Sequence, residues 1–238
     1  MTAAKLSQEV KHLSNKTRAA NCARYFKTGP GQYGEGDVFA GLTVPMCREI
    51  AKDFLSLPLT EIKKLLDSQI HEERLIALLI LVARFKKAAP AEQKQIFNFY
   101  LKQTARINNW DLVDLSAHKI VGEYLYLSSQ PLTLLDKLVL SKNLWERRIA
   151  VLATFAFINH GDGRPALRLA KALLNDTHDL MHKAVGWMLR ELGKRVSEKD
   201  LLGFLDMYAA TMPRTMLRYA IERLPEKQKK YYLLKKSQ

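Results

Sequence analysis

The chain has 238 residues, 47% of them hydrophobic, enough for a continuous core in one large domain or one repeat array. Lys and Arg number 38 against 24 Asp and Glu, a formal charge of +14 with a pI near 9.7, which points to a polyanionic partner. No apolar run approaches the roughly eighteen residues of a membrane span, Met1-Thr2-Ala3-Ala4-Lys5 opens no signal peptide, and Cys22 and Cys47 are too few for a disulfide framework or a zinc site. An intracellular, reducing compartment is the expectation.

Helix is expected over nearly the whole chain. Residues 22–26 read as helix, and Thr60 with Glu61 is expected at a helix start. Apolar residues then recur at three- and four-residue intervals in 73–86, 91–104, 111–127, 132–140, 145–159, 165–174, 180–195 and 199–210. Breakers fall between these segments at Ala89-Pro90, Ser128-Ser129-Gln130-Pro131, Gly161-Asp162-Gly163 and Thr211-Met212-Pro213, and Ser197 with Asp200 is expected to cap the last of them. No alternating, β-branched run competes for a strand.

An internal period emerges when the second helix of each expected pair is aligned. Glu73-Arg74-Leu75-Ile76-Ala77, Trp110-Asp111-Leu112-Val113-Asp114, Glu146-Arg147-Arg148-Ile149-Ala150 and His182-Lys183-Ala184-Val185-Gly186 superpose without gaps, their ends spaced by 37, 36 and 36 residues. A period of about 35–45 residues built from helix pairs is the signature of HEAT-like repeats. The predicted fold is therefore all-α: a solenoid of HEAT-like antiparallel helix pairs with a concave basic groove. It is expected to form a single repeat domain over 1–238, with a Gly-rich loop at 28–41 and a basic tail at 226–238.

The aligned slot also singles out one residue. Small residues at 77, 150 and 186 let neighbouring helices approach, yet Asp114 occupies the same slot in its own repeat. A lone helical Asp is usually solvated or bonded to a nearby backbone group. Here Trp110 and the basic His118 lie one turn away on the same stripe. Gly186-Trp187-Met188-Leu189-Arg190-Glu191 puts a second Trp where a packed helix would carry Leu or Ile. An aromatic-walled, acid-containing cleft on a DNA-binding surface would account for these residues.

Other motifs carry less. Gly29-Pro30-Gly31-Gln32-Tyr33-Gly34 spells G-x-G-x-x-G, but a dinucleotide site needs a preceding strand, and the segment before it reads as helix. A flexible loop able to touch a phosphate backbone through its main-chain N–H groups is the better reading. Among the six histidines, His178 and His182 form an i, i+4 pair near Asp176 and Asp179, a weak zinc pattern. No Gly-x-Ser-x-Gly elbow is present, and Glu61, Glu72 and Glu73 read as solvated helix faces. Residues 141–195 hold ten Lys and Arg against five acids, and residues 212–238 hold eight against two, so basic side chains on successive helices could follow a duplex backbone.

Asn109-Trp110-Asp111-Leu112-Val113-Asp114, Leu144-Trp145-Glu146-Arg147-Arg148-Ile149-Ala150 and Lys183-Ala184-Val185-Gly186-Trp187-Met188-Leu189-Arg190-Glu191 resemble the AlkD family of DNA alkylation-repair glycosylases. The resemblance runs in order from about residue 100 onward. Before that, Ala23-Arg24-Tyr25-Phe26-Lys27 and Gly41-Leu42 are its anchors. It implies hydrolysis of the N-glycosidic bond of cationic N3- or N7-alkylated purines in duplex DNA, by a cytoplasmic, nucleoid-associated bacterial monomer that uses no cofactor, metal or membrane. It assigns catalysis to Trp110, Asp114 and Trp187 and a cleft position to Arg148, and it implies that the lesion is not flipped into a pocket. Arg147, Lys183 and Arg190 are expected beside Arg148 as DNA-binding cations. The chain departs from the best-known members in its longer loop at 28–41 and in Thr43, where they tend to carry Gln. A non-catalytic protein binding unusual DNA structures, or a protein-binding HEAT scaffold, are the other functions open to the fold. Release of free 3-methyladenine or 7-methylguanine from methylated duplex separates the first reading from both.

Overall fold

The computed structural model describes residues 1–235, and among them helices are joined by turns and one isolated parallel bridge, Val38 to Ile70. The chain divides into two compact units, Met1–Ile120 and Val121–Gln238.

The first unit contains α1 (Ala3–His12), α2 (Lys16–Tyr25), α3 (Val44–Asp53), α4 (Leu59–Leu66), α5 (His71–Lys87), α6 (Pro90–Lys102) and α7 (Trp110–Ala117). Side chains of Thr2, Asn15, Thr43 and Asn109 accept amide protons at the starts of α1, α2, α3 and α7, satisfying donors that a helix leaves open. The expected cap at Thr60 is not used: α4 begins behind Pro58, and the Glu61 carboxylate reaches Ala3 N at 2.7 Å instead. Helix α5 is the hub, contacting α1, α3, α4, α6 and α7. Every residue from 71 to 81 is buried, so α5 has no solvated face over its first three turns. Glu72 and Glu73, read from the sequence as solvated, are only 2% and 5% exposed.

The predicted helix over 111–127 is interrupted. Helix α7 gives way to a π-turn at His118–Gly122, and α8 (Glu123–Leu127) follows in the second unit. Ser116 Oγ donates to Leu112 O at 2.5 Å, a back-bond of the kind that bends helices, and a π-turn takes up one extra residue.

The second unit continues with α9 (Thr133–Val139), α10 (Leu144–Asn159), α11 (Arg164–Ala172), α12 (Asp179–Arg195), α13 (Glu198–Tyr208), α14 (Arg214–Ala220) and α15 (Glu226–Leu234). The second members of successive pairs, α10, α12 and α14, pack on one another, while α9, α11 and α13 flank them. Gly186 shows why the slot is small: a Cβ there would come within 2.4 Å of Met216 O on α14. Ser197 accepts from Asp200 N at 3.1 Å, the cap expected from the sequence. Part of the expected tail is a docked helix, with Tyr232 Oη donating to Asp206 Oδ1 at 3.0 Å. Residues 236–238 of that tail lie outside the described residues.

Candidate active site

In the first unit the N-terminus of α7 is held by a buried polar network. Asn109 Oδ1 accepts from Trp110 N at 2.8 Å while its amide donates to Asp37 Oδ2 at 3.0 Å. Asp37 also receives Arg74 Nη2 at 2.5 Å and lies 3.1 Å from His71 Nδ1, whose Nε2 lies 2.8 Å from Asp111 Oδ2. Burial alone would push the His71 imidazole down. Hydrogen bonds and charge from Asp111 and then Asp37 more than reverse this, raising its pKa to about 9. Asp37 is opposed by burial in the same way, and His71, Arg74 and Asn109 bring it below its ordinary value. The helix that carries Trp110 and Asp114 is thus clamped at its first turn.

The Gly-rich segment explains how Asp37 arrives there. The amides of Gly29 and Gly31 are taken by Gln32 Oε1 and Glu35 Oε2, and those of Gln32, Gly34, Glu35 and Asp37 by carbonyls within 27–34. These N–H groups are occupied, so the expected phosphate contact through them is not what this segment is built for. It folds on itself, delivers Asp37 to His71 and Arg74, and pairs Val38 with the residues before α5. Glu72 holds the loop's far end, accepting from the amides of Ala40, Gly41 and Leu42 at 2.7–3.2 Å.

Trp110 is partly exposed and stands among rings. Phe26 stacks on it at 5.1 Å and 14°, Tyr25 meets it edge-on at 6.0 Å, and Phe39 stacks on Phe26 at 5.0 Å and on His71 at 4.6 Å. Asp114, one turn along α7, is partly exposed, whereas its repeat mates Ala77, Ala150 and Gly186 are buried. His118 does not act as the basic partner expected on this stripe. Burial, with help from the Lys119 charge, lowers its pKa to about 4, against a smaller raising contribution from the Asp114 backbone. The imidazole is neutral at pH 7 and supplies no positive charge to the stripe that carries Asp114.

In the second unit, Trp187 is partly exposed, its ring 6.0 Å from Phe155, while Trp145 is buried at 8% exposure. Lys183 and Arg190 share its helix face, at i−4 and i+3. Each cation assigned to DNA has an intramolecular partner: Lys183 with Asp179 at 2.7 Å, Arg190 with Glu191 and Glu222, and Arg147 with Asp176 at 2.7 Å. Arg148 is 4% exposed and donates to Leu180 O at 2.6 Å. His178 caps α12 by accepting from Leu180 N, and His182 Nε2 lies 2.5 Å from Asp176 O, so both histidines of the i, i+4 pair have structural roles.

Sequence reasoning did not single out Asp37, Phe39, His71 or Glu72. The available signal was His71-Glu72-Glu73-Arg74 running directly into an apolar helix: four ionisable side chains at the start of a hub helix require buried partners.

The family described as DNA alkylation repair enzyme matches residues 6–224, and the chain belongs to that family. Among solved structures, the chain is similar to one described as a predicted DNA alkylation repair enzyme from Enterococcus faecalis, with a TM-score of 0.71, 19% identity, and coverage of 90% of this chain and 97% of that one. AlkD2 from Streptococcus mutans aligns with a TM-score of 0.55 at 17% identity over 93% of this chain and 96% of that one. The smu.31 protein of Streptococcus mutans UA159 aligns with a TM-score of 0.54 at 16% identity, covering 92% and 95%. At these identities the neighbours establish the all-helical repeat fold. None of the curated proteins compared with the chain matches it. Among the described residues, no helix is long and apolar enough to cross a membrane.

Proposed function

We propose that this member of the family is a monofunctional DNA glycosylase that hydrolyses the N-glycosidic bond of cationic N3- or N7-alkylated purines in duplex DNA. The observation that carries this is Asp114: an acid kept partly exposed in the one helical slot that the other repeats close with buried Ala or Gly. An alkylated purine is already positively charged and leaves without a strong general acid. Bond cleavage then puts positive charge on the deoxyribose, where the Asp114 carboxylate stabilises it and orients water. The indole of Trp110, braced by Phe26, offers a face to the cationic nucleotide, worth roughly 0.5–2 kcal/mol. Trp187 is assigned the same kind of contact by the resemblance.

Lys183 and Arg190, flanking Trp187 on one face, supply phosphate contacts by exchanging Asp179 and Glu222 for the backbone of DNA. Arg147 and Arg148, tied to Asp176 and Leu180, contribute by holding the start of α12 and add charge to the same surface. Incubation of the pure protein with methylated duplex, followed by chromatography of released bases, tests the reading. Free 3-methyladenine or 7-methylguanine is the expected product. Tight binding of branched or otherwise unusual DNA without base release would replace it with the non-catalytic function.

A further inference from the structure

Helices α11 and α13 both pack on α12 and touch each other little. Between them lies a groove of ≈ 640 Å³, wholly inside the second unit. Its floor is apolar: Leu167 comes from α11, and Phe204, Met207 and Tyr208 come from α13. Phe204 is buried and Tyr208 packs against it with ring centroids 4.8 Å apart, so this part of the floor is fixed. Met207 is 68% exposed. A long unbranched thioether held in water beside fixed rings is an adaptable contact surface, and contiguous exposed apolar groups mark interaction sites.

Gly203 is a second, independent observation. It sits in the middle of α13, where glycine weakens a helix relative to alanine. Gly186 carries the same penalty for a visible reason, since α14 leaves no room for its Cβ. At Gly203 a Cβ would meet nothing within 4 Å, so no neighbour within the protein accounts for the missing side chain. Its absence lets a backbone from outside come close to α13 along the groove.

The rim carries Arg168, Lys171 and Lys199 against one acid, Asp200. Asp136 holds Arg168 at 3.1 Å, whereas Lys171 and Lys199 make no ion pair among the described residues. The rim therefore calls for carboxylates and the floor for apolar side chains. Duplex DNA offers negative charge but nothing apolar to cover Met207 and Leu167. A second copy of this chain, at +14, would meet the rim with like charge.

We propose that the groove between α11 and α13 is a docking site for an acidic amphipathic helix of a partner protein. Apolar residues of that helix, at i, i+3, i+4 and i+7, meet Leu167, Phe204 and Met207. Its backbone passes closest at Gly203, and its carboxylates meet Lys171 and Lys199. Helix α13 runs 11 residues, roughly 16 Å at about 1.5 Å per residue, so the docked segment spans about three turns. The site adds a protein partner to the DNA-repair reading and does not depend on it.

The test is a titration of the full chain, its methionine methyl groups isotopically labelled, with a synthetic peptide of about three turns bearing Leu at those four positions and Glu between them. The Met207 methyl resonance, assigned by its loss in Met207→Leu, should shift saturably. Gly203→Leu places a side chain in open space, so it should melt no lower than the parent while weakening binding at least tenfold. Lys171→Glu combined with Lys199→Glu should weaken binding by roughly tenfold, and the same peptide with Lys in place of Glu should leave Met207 unshifted. No shift with the acidic peptide, an equal shift with its lysine counterpart, or binding that survives Gly203→Leu overturns the proposal. So does a Met207 shift produced by duplex DNA or by concentrating the protein alone, which would give the groove to nucleic acid or to a second copy.

Discussion

At Asp114 a single carboxylate separates two explanations of α7. If it stabilises charge in the transition state, Asp114→Asn should leave the melting temperature and duplex affinity near the parent values while slowing excision roughly 10–1000-fold. Parent excision rates would remove Asp114 from the mechanism, and early melting would make it a structural residue. Trp187 and Trp145 provide a matched contrast on neighbouring helices. Trp145 is buried, and its truncation to Ala should cost about 3–5 kcal/mol; Trp187→Ala should cost much less than that and lower single-turnover excision instead. A large loss of melting temperature with a normal rate per folded molecule would return Trp187 to the core. His71 makes a prediction in pH. Its folded pKa of about 9 lies above the ordinary 6.5, so its stabilisation is fully present below about pH 6.5 and is lost as pH rises through 9. The rise corresponds to at most about 3.4 kcal/mol, shared with Asp111 and Asp37. Chemical denaturation from pH 6 to 9.5 should show this decline, and His71→Gln should flatten it; an equal slope in the variant would place the titration elsewhere.

Among the elements, close approach and burial outweigh helix propensity. Gly186 sits in the middle of α12, where Ala would be favoured by about 1 kcal/mol in an isolated helix. A Cβ there meets Met216 O and the Tyr219 Cβ at 2.4 and 2.5 Å, so α14 has to shift. Overpacking of this kind typically costs about 1–3 kcal/mol, and Gly186→Ala should therefore lower stability. A rise in melting temperature would mean that α14 yields freely. The helices from α5 to α13 were legible because proline, glycine and Ser197 mark their ends and apolar spacing marks their faces, whereas α14 and α15 were not foreseen. The turn at His118–Gly122 was not legible, since one extra residue in a turn hardly alters apolar spacing over a seventeen-residue window. The Gly-rich segment misled for a related reason: spelling alone cannot show that Gln32 and Glu35 occupy its amides.

For the whole molecule, the excess of positive charge predicts a steep dependence on salt. If roughly 5–8 phosphates are engaged, the log–log slope for binding undamaged duplex should be about −4.5 to −7. A flat response would mean that the cations remain committed to their internal carboxylates and that duplex is held by other means. By itself the sequence determined the all-helical class, the period near 36 residues, the presence of Asp114 in a small-residue slot, and the two Trp residues set into helices. All of these follow from spacing at 3.6 residues per turn, which a short window of chain contains in full. Only the tertiary structure decided which charges are buried and what they do. Asp37 meets His71 across 34 positions, Asp111 meets it across 40, and Glu72 holds amides 30–32 residues away. The neutral state of His118 and the partners of Arg147, Arg148 and Arg190 likewise arise from burial and from neighbours brought together by packing. Desolvation and charge pairing depend on distance in space, and separation along the chain does not specify it.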